Sequence, residues 1–152
     1  MDGILTTPFE LAQRFIGLKE TAGSTSNAQV LAMLQLDARW VEDDQTAWCS
    51  AFVNYAFFLL GLARSRSLAA RSWLLVGQDV PLTAATRGFD VVVLTRGTGK
   101  QPGPAVIAAP GHVGFYAGHD AANVQLLGGN QGDSVSIASF PKARILGVRR
   151  VR

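Results

Sequence analysis

The spacing of apolar residues changes once along this chain, from helical periodicity before about residue 77 to short alternating runs after about residue 88. Helices first and strands afterwards point to an α+β domain with an antiparallel sheet, and against an alternating chain with a parallel one. Thr7 is placed to cap, Pro8 suits a first helical position, and Phe9, Ala12, Phe15 and Ile16 predict a helix running to about Glu20. Val30, Leu31, Leu34 and Leu36 predict a second helix. Cys49, Phe52, Val53, Ala56, Phe57 and Leu60 form one face of a third, with Gly61 placed to end it. A short helix is expected around Leu68 to Val76.

Strands are expected at Asp90 to Thr95, Val106 to Ala108, His112 to Gly118, Val124 to Gly128, Val135 to Phe140 and Ile145 to Val151, punctuated by Gly, Pro, Asp and Asn. A chain of 152 residues with 48% hydrophobic and 16% charged residues suits one domain spanning 1–152, helical over about 1–77 and sheet over about 88–152. A monomer is expected.

Charge and composition narrow the function classes. No apolar stretch approaches the roughly 20 residues that cross a bilayer, so no membrane insertion is expected. The N-terminus, with Asp2 early and no basic lead-in, does not resemble a secretory signal. The arginine clusters Arg64, Arg66, Arg71 and Arg149, Arg150, Arg152 are expected to be solvated surface, and without interleaved aromatics they give no argument for nucleic acid. One cysteine and two histidines exclude an internal disulfide and a four-ligand Cys/His zinc site. Glu42, Asp43 and Asp44 are adjacent, unlike the spaced ligands of a calcium loop, so they read as a helix lead-in, and no metal or cofactor is expected.

The single thiol, Cys49, falls at a helix start, where the backbone dipole favours thiolate, while Asp43 and Asp44 would oppose that effect. His112 opens a predicted strand. If its hairpin paired Gly118 with Val124 without a bulge, Asn130 would face His112 and could bond one ring nitrogen, leaving the other aimed at Cys49. His119, at the hairpin tip and on the opposite strand face, reads as a surface residue. The backbone N–H of Cys49 is the first oxyanion donor to consider, with Gln45 or Ser50 as a second. Trp48 is the tryptophan placed to line a groove; Trp40 and Trp73 read as core or rim. Gly111, Gly114, Gly128 and Gly129 precede no helix and read as points of close backbone approach or bulges.

The helix start Trp48-Cys49-Ser50-Ala51-Phe52, the strand Gly111-His112-Val113-Gly114-Phe115-Tyr116 and the return Gly128-Gly129-Asn130-Gln131 resemble the NlpC/P60 and CHAP superfamily of papain-like cysteine hydrolases, in particular small single-domain phage and bacterial members. The resemblance extends from about Thr46 to Val151. It implies a nucleophile-bearing helix packed on a base-bearing antiparallel sheet, and hydrolysis of amide bonds in peptidoglycan. Carried over by position, Cys49 is the nucleophile, His112 the base and Asn130 the polar third member. Trp48 stands where the commonest NlpC/P60 pattern has Asp, so the bond preference of those relatives does not transfer, and endopeptidase and N-acetylmuramoyl-L-alanine amidase both stay open.

The resulting expectation is a peptidoglycan hydrolase, a phage endolysin or a delivered antibacterial effector. It would reach the periplasm or wall through a holin or secretion apparatus, with an immunity protein as partner if it is an effector. The alternatives are a non-catalytic wall-binding or structural protein on the same scaffold, and an acyltransferase using the same thioester.

Overall fold

The computed structural model of the protein describes residues 5–21, 26–41 and 47–152; Gln45 and the acidic run Glu42 to Asp44 lie outside the described residues. Helix α1 (Pro8–Gln13) opens on a reciprocal cap. The Thr7 hydroxyl accepts the Glu10 N–H at 3.2 Å, and the Glu10 carboxylate accepts the Thr7 N–H at 2.9 Å. The helix stops well before Glu20, because Gly17 takes a φ of +97° and reverses the chain. Beyond it the chain runs extended: Gly17 N–H donates to Val135 O at 3.0 Å, Val135 N–H donates to Leu18 O at 2.8 Å, and Lys19 bridges Ser134.

The Asn27 side chain caps α2 (Ala28–Gln35) by accepting the N–H groups of Gln29 and Val30. Helix α3 (Cys49–Leu59) begins after Trp48 and is terminated by Gly61 at φ +66°. The expected short helix near Leu68 is a 3-10 stretch, Ala70–Leu75.

Six strands follow: β1 (Gln78–Asp79), β2 (Asp90–Thr95), β3 (Gly111–His119), β4 (Asn123–Gly128), β5 (Ser136–Pro141) and β6 (Ile145–Arg150). They form one sheet in the order β1-β6-β2-β3-β4-β5, with every neighbouring pair antiparallel, which is the α+β architecture read from the sequence. Residues Val106 to Ala108 form turns rather than a strand. Their backbone is held by the buried guanidinium of Arg71, which donates to the carbonyls of Pro102, Gly103, Val106 and Pro110 at 2.7–3.1 Å.

The helices lie on one face of the sheet. Val91, Val93, Val113, Phe115 and Leu127 pack into one core with Phe52, Val53 and Phe57 of α3. Phe115 stands edge-on to Phe52 and stacks on Phe57, at ring-centroid distances of 6.2 and 5.8 Å. Burying each of these side chains stabilises the fold by roughly 1.5–3 kcal/mol. Val92, Leu94, Tyr116, Leu126 and Val148 face the other way, under Val80, Leu82, Ala85 and Phe140.

Arg66 and Arg152 are exposed, as expected of the arginine clusters, but the other four arginines of those clusters are not solvated surface. Arg64 pairs with Asp37, Arg150 grips the buried Asp90 with two bonds of 2.8 Å, Arg149 donates to the carbonyls of Val76 and Gly77, and Arg71 is fully buried. Only the pattern of neighbours in space, not the run of charge in sequence, distinguishes such arginines from surface ones.

Candidate active site

The helix dipole end of α3 and one end of β3 meet at the site. Strand β4 pairs with β3 at Phe115↔Leu127 and Tyr116↔Leu126, and then the register shifts to Gly118↔Gln125 and His119↔Val124. The extra residue, Ala117, is a bulge, so the bulge-free hairpin expected from sequence is corrected at its tip. The bulge also turns His119 toward Tyr116, with 2.6 Å between its Nδ1 and the tyrosine hydroxyl, and His119 is exposed as expected.

Below Phe115 no β4 residue is paired with β3. There the backbone N–H of Val113 is directed at the thiol of Cys49, which is 3% exposed. His112, the preceding residue, is buried and sits opposite Leu94 of β2.

Asn130 is not the partner of His112. After Gly128 the chain leaves the ladder, Asn130 adopts φ +58°, and the alternation that would have set it across from His112 is lost. Gln131 takes that place, with its Oε1 2.9 Å from His112 Nε2. Its amide nitrogen donates to the carbonyls of Leu126 at 3.2 Å and Ser136 at 2.8 Å, which fixes which end of the amide faces the ring. The amide oxygen can only accept, so Nε2 carries the proton and Nδ1 holds the lone pair. Asn130 lines the same cleft without bonding the imidazole. The bend is supported by glycine: a Cβ on Gly128 would lie 2.5 Å from Gln131 Oε1, and one on Gly129 2.7 Å from the Trp48 ring.

Two of the expected binding residues are structural instead. Trp48 is fully buried beneath Gly129, and its indole N–H donates to Glu20 at 2.8 Å, so it lines no groove. The Ser50 hydroxyl, also fully buried, donates to Ser67 O at 2.6 Å and accepts the Trp73 indole N–H at 3.1 Å, which leaves no hydroxyl proton for an oxyanion. Trp48 sits at the N-cap of α3 and Ser50 in its first turn, where the sequence put the helix start, but their partners lie far away in sequence.

Cys49 and His112 open onto adjacent clefts, and no hydrogen bond joins the thiol to the imidazole. The thiol cleft is walled by Ala47, Leu68, Ala69, Ala70, Ala109 and Pro110; the His112 cleft, of about 360 Å³, includes Asn130, Gln131, Phe140 and Arg144. Arg96, at the end of β2, lines both. Nothing in the sequence singled it out.

Burial pushes the Cys49 thiol up, against the lowering effects of the Val113 N–H, the Arg96 charge and the N–H groups of Ser50 and Cys49 itself. The net direction is opposite to the depressed value expected from a helix start alone. Burial likewise pushes His112 down; the Gln131 bond opposes this and the charges of Arg96 and Arg144 add to it. The resting pair is therefore a neutral thiol and a neutral imidazole.

No family model matches the chain, and no curated protein matches it. Solved structures do. NlpC1 from Trichomonas vaginalis superposes over 99% of this chain with a TM-score of 0.57 at 18% identity. The chain spans 45% of the length of that protein. The P60 domain of the M. avium paratuberculosis antigen MAP1272c matches over 96% of this chain and 91% of its own, with a TM-score of 0.52 and 17% identity. The P60 domain of antigen MAP1204 from M. avium subspecies paratuberculosis matches over 94% and 93%, with a TM-score of 0.54 and 17% identity. An orienting glutamine, a buried histidine and a helix-start cysteine are thus carried on the architecture of the NlpC/P60 domains.

Proposed function

We propose that the protein is a cysteine hydrolase that cleaves an amide bond in the peptide of bacterial peptidoglycan, with Cys49 as nucleophile, His112 as base and Gln131 as the residue that orients it. The observation that carries this reading is the tie between His112 Nε2 and Gln131. It holds the imidazole in the tautomer whose Nδ1 can take a proton, beside the residue whose N–H meets the thiol.

In this mechanism Nδ1 removes the thiol proton as substrate enters, and the sulfur attacks the carbonyl carbon. Catalytic hydrogen bonds that are absent at rest commonly form only in the substrate complex. The tetrahedral oxyanion is held by the N–H of Cys49. Collapse breaks the C–N bond, the amine leaves with the proton from His112, and a thioester remains. Water then gives a proton to His112 and adds to the thioester, releasing the acid and restoring the thiol.

Whether the bond is that of an endopeptidase or an amidase, and whether the protein serves as an endolysin or as an effector delivered to the periplasm by a holin or secretion apparatus, are finer readings of the same site. The burial of the thiol and the lack of a bond to His112 favour a second reading, a non-catalytic wall-binding protein on this scaffold. One experiment separates the two. Purified sacculi incubated with the wild type should release soluble muropeptides, and Cys49→Ala should release none; an inert wild type, or an active Cys49→Ala protein, overturns the hydrolase.

A further inference from the structure

Strands β2 and β3 are paired neighbours whose ladder ends at Thr95↔Gly111. Antiparallel neighbours need only about 2–5 residues to turn from one strand into the next. Here the connection runs over residues 96–110 and contains neither helix nor strand. None of its residues is buried; Gln101, Ile107 and Ala109 are half-buried and the rest are exposed.

One side chain attaches this loop to the body of the protein. Within the loop, the Val106 N–H donates to Gly103 O and the Gln101 side-chain amide donates to Thr98 O. Among the described residues, the hydrogen bonds that join it to the rest of the chain all come from Arg71. Nη1 donates to the carbonyls of Pro102, Gly103 and Val106, and Nε donates to that of Pro110. The guanidinium has no carboxylate partner among the described residues, and its Nη2 has no partner at all among them. Lifting the loop would return the cation and the carbonyls to water together, so the attachment is made or broken as a unit.

The same two segments build the thiol cleft. Leu68, Ala69 and Ala70, which lead directly into Arg71, line it with Ala108, Ala109 and Pro110 of the loop, and Cys49 lies in it, 3% exposed. They meet closely at the foot of the loop, where a Cβ on Gly111 would lie 3.0 Å from Arg71 Cγ and 3.5 Å from Ala70 Cβ. We infer that residues 96–110 are a lid, hinged where the β2–β3 ladder ends and latched by Arg71, that governs access to the Cys49 thiol. With the latch made, the loop keeps the thiol covered; with it broken, one wall of the cleft moves away and the sulfur is uncovered. The lid is a property of the thiol's surroundings, and only its role in admitting a wall peptide rests on the hydrolase reading.

Cys49 is the single cysteine, so alkylation by iodoacetamide reads this one position. The rate at about pH 8.5, within the ordinary thiol range, would be followed in urea from none up to the unfolding midpoint. It should show two limbs. The first is flat, because an exposed loop uncovers little further surface on opening, and the second is steep and reports global unfolding. Arg71→Lys, which loses the fork that spans several carbonyls, should raise the flat limb about tenfold. Gly97→Ala should raise it as well, because Gly97 holds φ +113° in the closed loop and a side chain there strains that state. A single steep limb, or a flat limb that neither variant moves, would overturn the lid. Two limbs in a protein that leaves sacculi intact would keep the lid and remove the hydrolase; solubilised sacculi with a single steep limb would do the reverse.

Discussion

Gln131 holds His112 by a bond whose direction is set from behind, since the amide nitrogen of Gln131 is committed to Leu126 and Ser136 and only its oxygen, 2.9 Å from Nε2, faces the ring. Removing the carboxamide frees the ring to rotate and to change tautomer. Gln131→Ala should lower kcat for peptide hydrolysis on the order of 10²-fold, within the range of general-base catalysis. Asn130→Ala, which leaves that bond untouched, should lower it far less. Steady-state kinetics of the two variants on one peptide would check the difference.

The buried thiol should behave as a poor nucleophile until substrate arrives. Its reaction with iodoacetamide should be slow at neutral pH and should rise with a midpoint above the ordinary thiol range, because burial raises the group. Arg96→Gln should shift the midpoint higher still, since the Arg96 charge lowers it. Alkylation rates followed by mass spectrometry from pH 6 to pH 10.5 would check both directions; a fast reaction near pH 7 would contradict this.

His112 couples stability to pH in a defined direction. Its folded value lies below its ordinary value of 6.5, so near that pH the unfolded chain binds more protons than the folded one. The contribution is therefore fully present above pH 6.5, is lost as pH falls from there toward the folded value, and is constant below it. Urea unfolding between pH 7.5 and pH 4.5 should show this loss, and His112→Asn should flatten that part of the profile.

Arg71 should be a large stabilising residue despite its charge. It is fully buried and donates to four carbonyls of the 102–110 loop, while its Nη2 has no partner. Arg71→Ala would leave those carbonyls unsatisfied, at a cost of roughly 3 kcal/mol or more. Thermal unfolding would read the loss, and limited proteolysis should cut within residues 102–110 of the variant first.

Gly129→Ala would set a Cβ 2.7 Å from the Trp48 ring and 2.8 Å from Phe52 Cβ. Overpacking of this kind costs about 1–3 kcal/mol, and here it would also push away the bend that carries Gln131. Melting temperature and peptide hydrolysis should therefore fall together, whereas Gly132→Ala, with nothing within 4 Å, should leave the packing around Trp48 undisturbed.

The elements that sequence made legible are those governed by local rules. The Thr7 cap, Pro8, the apolar face of α3, and the strand from Asp90 to Thr95 follow from capping, periodicity and alternation. The pairing of Phe115 with Leu127 agrees with the register inferred for the hairpin, although the tip was misjudged because a bulge at Ala117 leaves no mark in composition. At the site, the positions of Cys49 and His112 on their elements were readable. The identity of the third residue was not, since it depends on where β4 stops alternating. Trp48, Ser50, Arg71 and Arg96 were misread or missed for one reason: their roles are set by partners in distant parts of the chain, and residue type alone does not distinguish a bonded side chain from a solvent-facing one.

The bulge at Ala117 divides the β3–β4 ladder into an inner and an outer stretch of different register. The inner stretch fixes the backbone that leads to His112, the outer stretch is held by β5, and the exposed turn at Asp120 and Ala121 lies beyond both. The hairpin tip is therefore the place where the chain can accept an added loop, a label or a fused peptide while the imidazole keeps its position.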